Sequence, residues 1–490
     1  MLRPTIEQAR QLTGYSLIPV CRELLSDFTT PIEVLRKLRS VSRHVYILES
    51  VENQEKWGRY TFLGYDPKLE ITCINGELTV KNVQTGSVET SRRAHPADYI
   101  KKLMSGFSSP ALEGFPSFTG GLVGYFSYDY IKYSEPTLKL DANDEEHFKD
   151  VDLMLFDKVI AFDNIRQKIM LITNISSSDI DKEYAEAEKQ LAEMERLIRF
   201  GKPADIPKGR LMSDFRRLFD KEQYCEMVEK AQHYIYEGDI FQVVLSNRLD
   251  ADFDGSLFDA YRVLRATNPS PYMFFFSSDD MEIAGASPET LVKLENGVLH
   301  TFPLAGTRPR GADDEQDRQL EAELLHDEKE LSEHNMLVDL GRNDIGKISR
   351  FGSVEVEKYM SIERYSHVMH IGSTVRGEIL DGKTALDAVD AILPAGTLSG
   401  APKLRACEII NELENNKRGV YGGAVGYIDF RGNLDTCIAI RLAFRKNGRV
   451  FVRSGAGIVA DSVPENEYNE CINKAKAVMN ALSIAQEDSI

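Results

Sequence analysis

Apolar and polar residues alternate in short runs through the first part of the chain, each run closed by turn residues. Residues 44–50, 59–63, 69–74, 77–81, 120–126, 158–162 and 167–172 carry the two-residue period and the Val, Ile, Tyr and Phe content of strands. Asn75-Gly76 lies between two of them and predicts a tight hairpin, because both central positions of such a turn need positive φ. From residue 178 to residue 200 the period becomes helical, and Gly201-Lys-Pro-Ala-Asp-Ile-Pro-Lys-Gly209 then predicts a linker. The pattern divides the chain into a strand-rich region, 1–213, and a region 214–490 that opens on an amphipathic run at 222–238 and goes on to alternate strands with helices.

Within the second region, residues 328–340 contain no helix breaker, and Gly341 stands where a C-terminal stop is expected. Glu330, Glu333, His334 and Leu337 fall on one side of that helix, beside Leu331 and Val338. A half-buried pair of like charges three residues apart calls for a nearby cation. The alternative is surface decoration, with Asp327 and Glu330 forming a capping box. The pattern recurs at 462–474, where Ser462-x-x-Glu465 with Pro464 predicts a helix start and Glu467, Glu470 and Lys474 share a side. Here the alternative is an ordinary Glu470–Lys474 helix pair. Ahead of it, residues 450–460 read as a strand running into a glycine loop. Its Gly455-x-Gly457-x-x-Ala460 imitates a dinucleotide fingerprint but lacks the following strand with its acidic residue. What survives is a loop whose backbone amides could approach a carboxylate or phosphate.

Composition narrows the class. With 42% hydrophobic and 28% charged residues, the 490-residue chain has the make-up of an ordinary globular protein. A balance of 59 basic against 77 acidic residues, net −18, disfavours nucleic acid as a partner. The six cysteines are scattered without C-x-x-C spacing, as reduced thiols would be, and neither a signal-peptide h-region nor a membrane-length apolar run is present. A cytoplasmic setting without membrane contact is expected.

Several strand-to-glycine segments remain: Ile283-Ala-Gly-Ala-Ser-Pro-Glu289, Phe302-Pro-Leu-Ala-Gly-Thr-Arg308, Leu393-Pro-Ala-Gly-Thr-Leu-Ser-Gly-Ala-Pro-Lys403, Gly419-Val-Tyr-Gly-Gly-Ala-Val-Gly426 and Asp435-Thr-Cys-Ile-Ala-Ile-Arg441. Together these resemble the chorismate-utilising enzymes, most nearly their anthranilate synthase large-subunit branch, from about residue 222 to 481. The resemblance implies an α+β fold of two packed antiparallel β-sheets with helices on the outside. It implies an inhibitor site in the first region and the active site in the second.

The resemblance also implies roles. Glu333 and Glu470 match direct Mg²⁺ ligands, with Glu330 and Glu467 reaching the ion through water. Tyr421, Arg441 and the Gly455-Ala456-Gly457 segment match the groups holding the enolpyruvyl carboxylate, with Lys474 close by, while Gly306, Thr307 and Thr397 line the ring. Glu289 matches the acid that protonates the departing 4-hydroxyl after a nucleophile adds at C2, a task needing a raised pKa. His370 matches the histidine needed for loss of pyruvate; without the family it reads as a core histidine, the role expected of His367. Related water-using enzymes carry a lysine where Gln242 stands, and aminodeoxychorismate synthases carry one where Ala305 stands. Both departures imply ammonia as nucleophile and anthranilate as product, with isochorismate or salicylate synthase as the alternative. No cysteine sits in a glutaminase elbow, so the ammonia is expected from a separate glutamine amidotransferase subunit. Leu48-Glu49-Ser50 matches a tryptophan inhibitor signature, and the segment carrying Pro271, Tyr272 and Met273 closes over the amino acid. The bland reading of Glu49 and Ser50 is a polar strand end. A non-catalytic tryptophan-binding regulator is the alternative from another functional class.

Overall fold

The computed structural model describes residues 2–50, 58–364 and 368–487. Two large sheets, one of fourteen strands and one of twelve, carry the fold, and every ladder between their strands is antiparallel. The predicted hairpin forms between Leu69–Ile74 and Glu77–Asn82, with Asn75 at φ 49° and Gly76 at φ 82°. Both sheets take strands from either side of residue 213. In the first, Val45–Glu49 pairs with Tyr272–Ser277, setting Glu49 opposite Met273. In the second, Gly121–Phe126 pairs with Ala424–Asp429, setting Gly124 opposite Gly426.

The sheets meet face to face across a core that includes Tyr46, Phe62, Phe274 and Phe444 from the first and Val123, Met154, Phe156 and Val425 from the second. Tyr46 meets Phe156 edge-to-face at 4.7 Å. Helices cover the outer faces. Pro31–Arg39, Ile180–Phe200, Phe258–Thr267 and Pro464–Ile484 pack on the first sheet, and Pro96–Met104, Glu328–Gly346 and Ala385–Ile392 on the second. The α+β layout implied by the resemblance is present. The second region does not simply alternate strands with helices, because its strands come largely as hairpins whose partners lie next door in sequence.

At the Gly124–Gly426 pairing the backbones run so close that a Cβ on Gly124 would lie 2.0 Å from the Asp152 carbonyl oxygen, and one on Gly426 2.0 Å from that of Asp435. Gly124→Ala should therefore cost at least about 2 kcal/mol, measured as a fall in the urea midpoint, because the obstacle is backbone that cannot swing aside.

Two local predictions change. The helix Glu328–Gly346 runs straight through Gly341. That glycine is a contact point, since an added Cβ would come 3.1 Å from the Thr301 methyl on the adjoining sheet. The later helix begins at Pro464 with Val463 as N-cap, and Ser462 turns back instead to accept from the Val459 N–H at 3.1 Å.

Candidate active site

A cavity of about 1100 Å³ opens between the helices Glu328–Gly346 and Pro464–Ile484 and the ends of both sheets. Glu330 and Glu333 reach its wall from one helix, Glu467, Glu470 and Lys474 from the other. The 3.6-residue period places them there: His334 and Val338 are buried behind the first pair and Cys471 behind the second, while Leu337, Ala475 and Val478 give the cavity wall its apolar part. Asp327 caps the first helix by accepting from the N–H groups of Lys329 and Glu330. The reciprocal half of the capping box is absent, because the Asp327 N–H bonds to Leu324 and the Glu330 carboxylate turns to Arg308 at 3.5 Å.

The charges on this wall are strained. Burial raises the Glu333 pKa above the ordinary carboxylate value, with the neighbouring Glu330 and, across the cavity, Glu470 adding to the rise. Burial and then Glu470 raise that of Glu467 likewise. Lys474 compensates part of this, donating to Glu470 at 2.7 Å and to the Gly455 carbonyl at 3.2 Å. Oxygen donors from two facing helices, with a surplus of negative charge, suit a hard divalent cation that keeps several waters. No three of these carboxylates, among the described residues, bring oxygens within 4.8 Å of one another. The trio that does so, His44, Glu70 and Asp279, belongs to a different region, where Lys81 and Lys149 already neutralise it.

Glu289 follows the strand Glu282–Ser287 and enters the cavity half-buried. Burial pushes its carboxyl up to about 7, while the Thr397 hydroxyl, donating at 3.2 Å, and Lys474 at longer range pull the other way. The raised pKa required by the resemblance is thus supplied by desolvation. Opposite, a bulge between Ala305 and Thr307, with Gly306 at φ 63°, aims two groups at His370. His370 Nδ1 lies 2.9 Å from the Gly306 carbonyl and 3.1 Å from the Thr307 hydroxyl. A proton on Nδ1 directed at that carbonyl leaves Nε2 as the basic nitrogen, and burial lowers the imidazole pKa so that the neutral form prevails. The core-histidine role expected of His367 falls outside the described residues; His334 plays such a part, buried and 2.6 Å from the Ser373 hydroxyl.

Arg441 sits in the left-handed region at φ 52°, costly for a side chain of its size, and opens onto the cavity. Burial lowers its pKa, and among the described residues no carboxylate offsets that effect. A guanidinium held in strained backbone beside a cavity, without an acidic partner, is prepared for an incoming anion.

The glycine loop becomes a strand. Gly455 and Gly457 lie within Arg449–Ile458, paired with Ser246 and Val244. Strand alternation turns these two to the cavity and sends the Ala456 side chain into the opposite apolar cluster with Tyr224 and Ile410, leaving only the Ala456 backbone for the site. A Cβ on Gly455 would meet the Leu245 backbone carbonyl oxygen at 2.6 Å, the close approach that keeps this position bare, whereas one on Gly457 would meet only the mobile end of Gln242. Gln242, Ala305, Gly306, Thr307, Thr397 and Tyr421 all line the cavity.

Of the six inhibitor-site residues, Pro271 lines the catalytic cavity, while the others gather at the Val45–Glu49 and Tyr272–Ser277 pairing. Glu49 is buried and accepts from Tyr261 at 2.5 Å and from Arg265 at 2.6 Å. Tyr272 bonds to Thr290 and Asp435, each at 2.9 Å. Ser50 lies half-buried just past the strand end. Sequence reasoning missed Arg308, which bridges Glu323, Asp327 and Glu330, and Arg453, a charge at a buried position of an apolar strand. An arginine inside Val450-Phe-Val-Arg453-Ser was the available signal.

A cavity walled by facing acidic helices and by Arg441 and Lys474 has room and charge for a small ligand, and residues 44–480 match the chorismate binding enzyme family. The chain belongs to that family. It is 45% identical to anthranilate synthase component 1 of Acetivibrio thermocellus over 99% of this chain and 100% of that one. It is 46% identical to the protein of that name from Aquifex aeolicus over 99% of each. The crystal structure of anthranilate synthase component I from Streptococcus pneumoniae superposes with a TM-score of 0.76 at 40% identity, covering 93% of this chain and 98% of that one.

Proposed function

We propose that the chain is an anthranilate synthase large subunit, converting chorismate and ammonia to anthranilate, pyruvate and water as the first step of tryptophan biosynthesis. One observation carries the chemistry: a carboxyl pushed up to about 7, Glu289, shares a single cavity with the unpaired Arg441 and the neutral His370. Arg441, Tyr421 and Lys474 hold the enolpyruvyl carboxylate. Ammonia adds at C2, both ring double bonds shift by one bond towards C4, the ammonium so formed gives a proton to solvent, and Glu289 gives its proton to the 4-hydroxyl as it leaves as water. His370 then takes the C2 proton through Nε2 while the C3–O bond breaks, and the departing enolate takes a proton at its methylene carbon to become pyruvate. Thr397, by bonding Glu289, keeps that acid directed into the cavity.

Glu333 and Glu470, with Glu330 and Glu467 through water, would hold Mg²⁺, which when bound supplies positive charge for the ring carboxylate. The raised pKa values of Glu333 and Glu467 support this, since both carboxylates gain from a cation between the helices. Ammonia comes from a separate glutamine amidotransferase subunit, in keeping with the component 1 name of the relatives. Six unpaired cysteines, five of them buried, fit a reducing cytoplasm. No helix among the described residues is long and apolar enough to cross a membrane.

Tryptophan is the proposed feedback inhibitor, bound around Leu48, Glu49, Ser50, Tyr272 and Met273. A change such as Ser50→Phe should raise the tryptophan concentration for half-inhibition at least about tenfold with KM for chorismate unchanged; unaltered inhibition removes the site. The reaction itself is tested by supplying chorismate, ammonium and Mg²⁺. Fluorescent anthranilate is expected, whereas isochorismate or salicylate would move the chain to the water-using branch, and an inert chain that binds tryptophan tightly would make it a regulator.

A further inference from the structure

Arg418 stands in Lys417-Arg418-Gly419, a setting that ordinarily marks a solvated turn. Its side chain is 1% exposed and is the largest of the fully buried side chains. Nε donates to Glu414 at 2.9 Å, Nη1 to the Leu398 carbonyl at 2.6 Å, and Nη2 to the Val244 carbonyl at 2.7 Å and to Glu414 at 2.5 Å. Its guanidinium lies over the Tyr128 ring, 4.4 Å from the centroid, and 5.8 Å from that of Tyr421. Glu414 also accepts from Arg453 at 2.8 Å, and Arg453 donates on to Ser246. Among the described residues the ion pairs of both arginines end on Glu414. Two cations therefore share one carboxylate, leaving a net positive charge in the interior.

The position of this cluster gives it a use. Leu398, Val244, Tyr421 and Arg453 all line the catalytic cavity. Leu398 adjoins Thr397, the partner of Glu289, and Val244 pairs with Gly457. The arginine fork thus ties together two walls that carry separate parts of the site. A cluster kept only for stability would gain nothing from a surplus charge, since buried ions are costly unless matched.

We propose that Arg418 is a positioning residue for the chorismate reaction, fixing Thr397 against Glu289 and the Val244–Gly457 wall, and that the Arg418–Glu414–Arg453 cluster supplies the surplus positive charge that draws the dianionic substrate. This rests on the function proposed above. The two are separable: failure of the wild-type protein to make anthranilate would sink that function, whereas the variants below test the cluster in a working enzyme.

Arg418→Lys keeps the charge and loses the fork. Its kcat should fall about ten- to a hundredfold, as for a displaced catalytic group. With the Thr397 bond slack, the basic limb of its pH–rate profile should move to higher pH, because that hydroxyl favours the ionised carboxylate. Arg453→Gln removes the surplus charge while leaving Glu414 paired; KM for chorismate should rise about tenfold or more with the limb unmoved. A merely structural cluster would lower the folded fraction, and with it kcat, while shifting neither limb nor KM. That outcome in either variant overturns the proposal, and if Arg418→Lys does not fold, Arg453→Gln decides alone.

Discussion

Glu289→Gln should lower kcat about 10²- to 10⁴-fold and remove the basic limb near pH 7 from the residual rate. Glu289 must be protonated to act, and burial pushes it up to about 7, so activity should fall as pH rises through that value. The same shift is a stability statement. A carboxyl raised from 4.5 to about 7 on folding contributes stability that is complete below pH 4.5 and lost as pH rises through 7. The loss is on the order of 2–3 kcal/mol, given that the carboxyl is only half-buried. Glu289→Gln carries no such charge, so at pH 8 it should melt above the wild type, and at pH 4 the two should agree. A variant that kept normal turnover would remove Glu289 from the chemistry.

The second large effect is expected at the carboxylate pairs. Glu333→Gln or Glu470→Gln should reduce Mg²⁺-dependent turnover by about 10²-fold or more while leaving the fold intact, because each would remove one of the few direct ligands proposed for the ion. Calorimetric titration gives a readout apart from activity: Mg²⁺ affinity should drop in both, and less in Glu330→Gln and Glu467→Gln, whose proposed contact runs through water. Normal activity of Glu470→Gln at saturating Mg²⁺ would refute the ligand role.

Local features were legible where one period governs. The 69–82 hairpin follows from two alternating runs and Asn75-Gly76, and the glutamate pairs follow from helical spacing against an apolar stripe. Pairings such as Glu49 with Met273 and Gly124 with Gly426 join segments hundreds of residues apart, and no local pattern encodes such a choice. Glycine misled twice for one reason. Gly341 read as a helix stop and Gly455–Gly457 as a loop, yet Gly341 and Gly455 are bare because another group passes close to each. Arg308, Arg418 and Arg453 were missed because charge in a sequence reads as surface: Arg308 is half-buried against Asp327, and one carboxylate, Glu414, four residues before Arg418 and 39 before Arg453, makes the two buried places tenable.

In the proposed reaction this cavity joins external ammonia to chorismate. The most direct measurement is incubation with chorismate, Mg²⁺ and isotopically labelled ammonium, followed by mass analysis of the products. The account predicts labelled anthranilate and pyruvate in equal amounts. Unlabelled isochorismate or salicylate, formed at the same rate without ammonium, would contradict it.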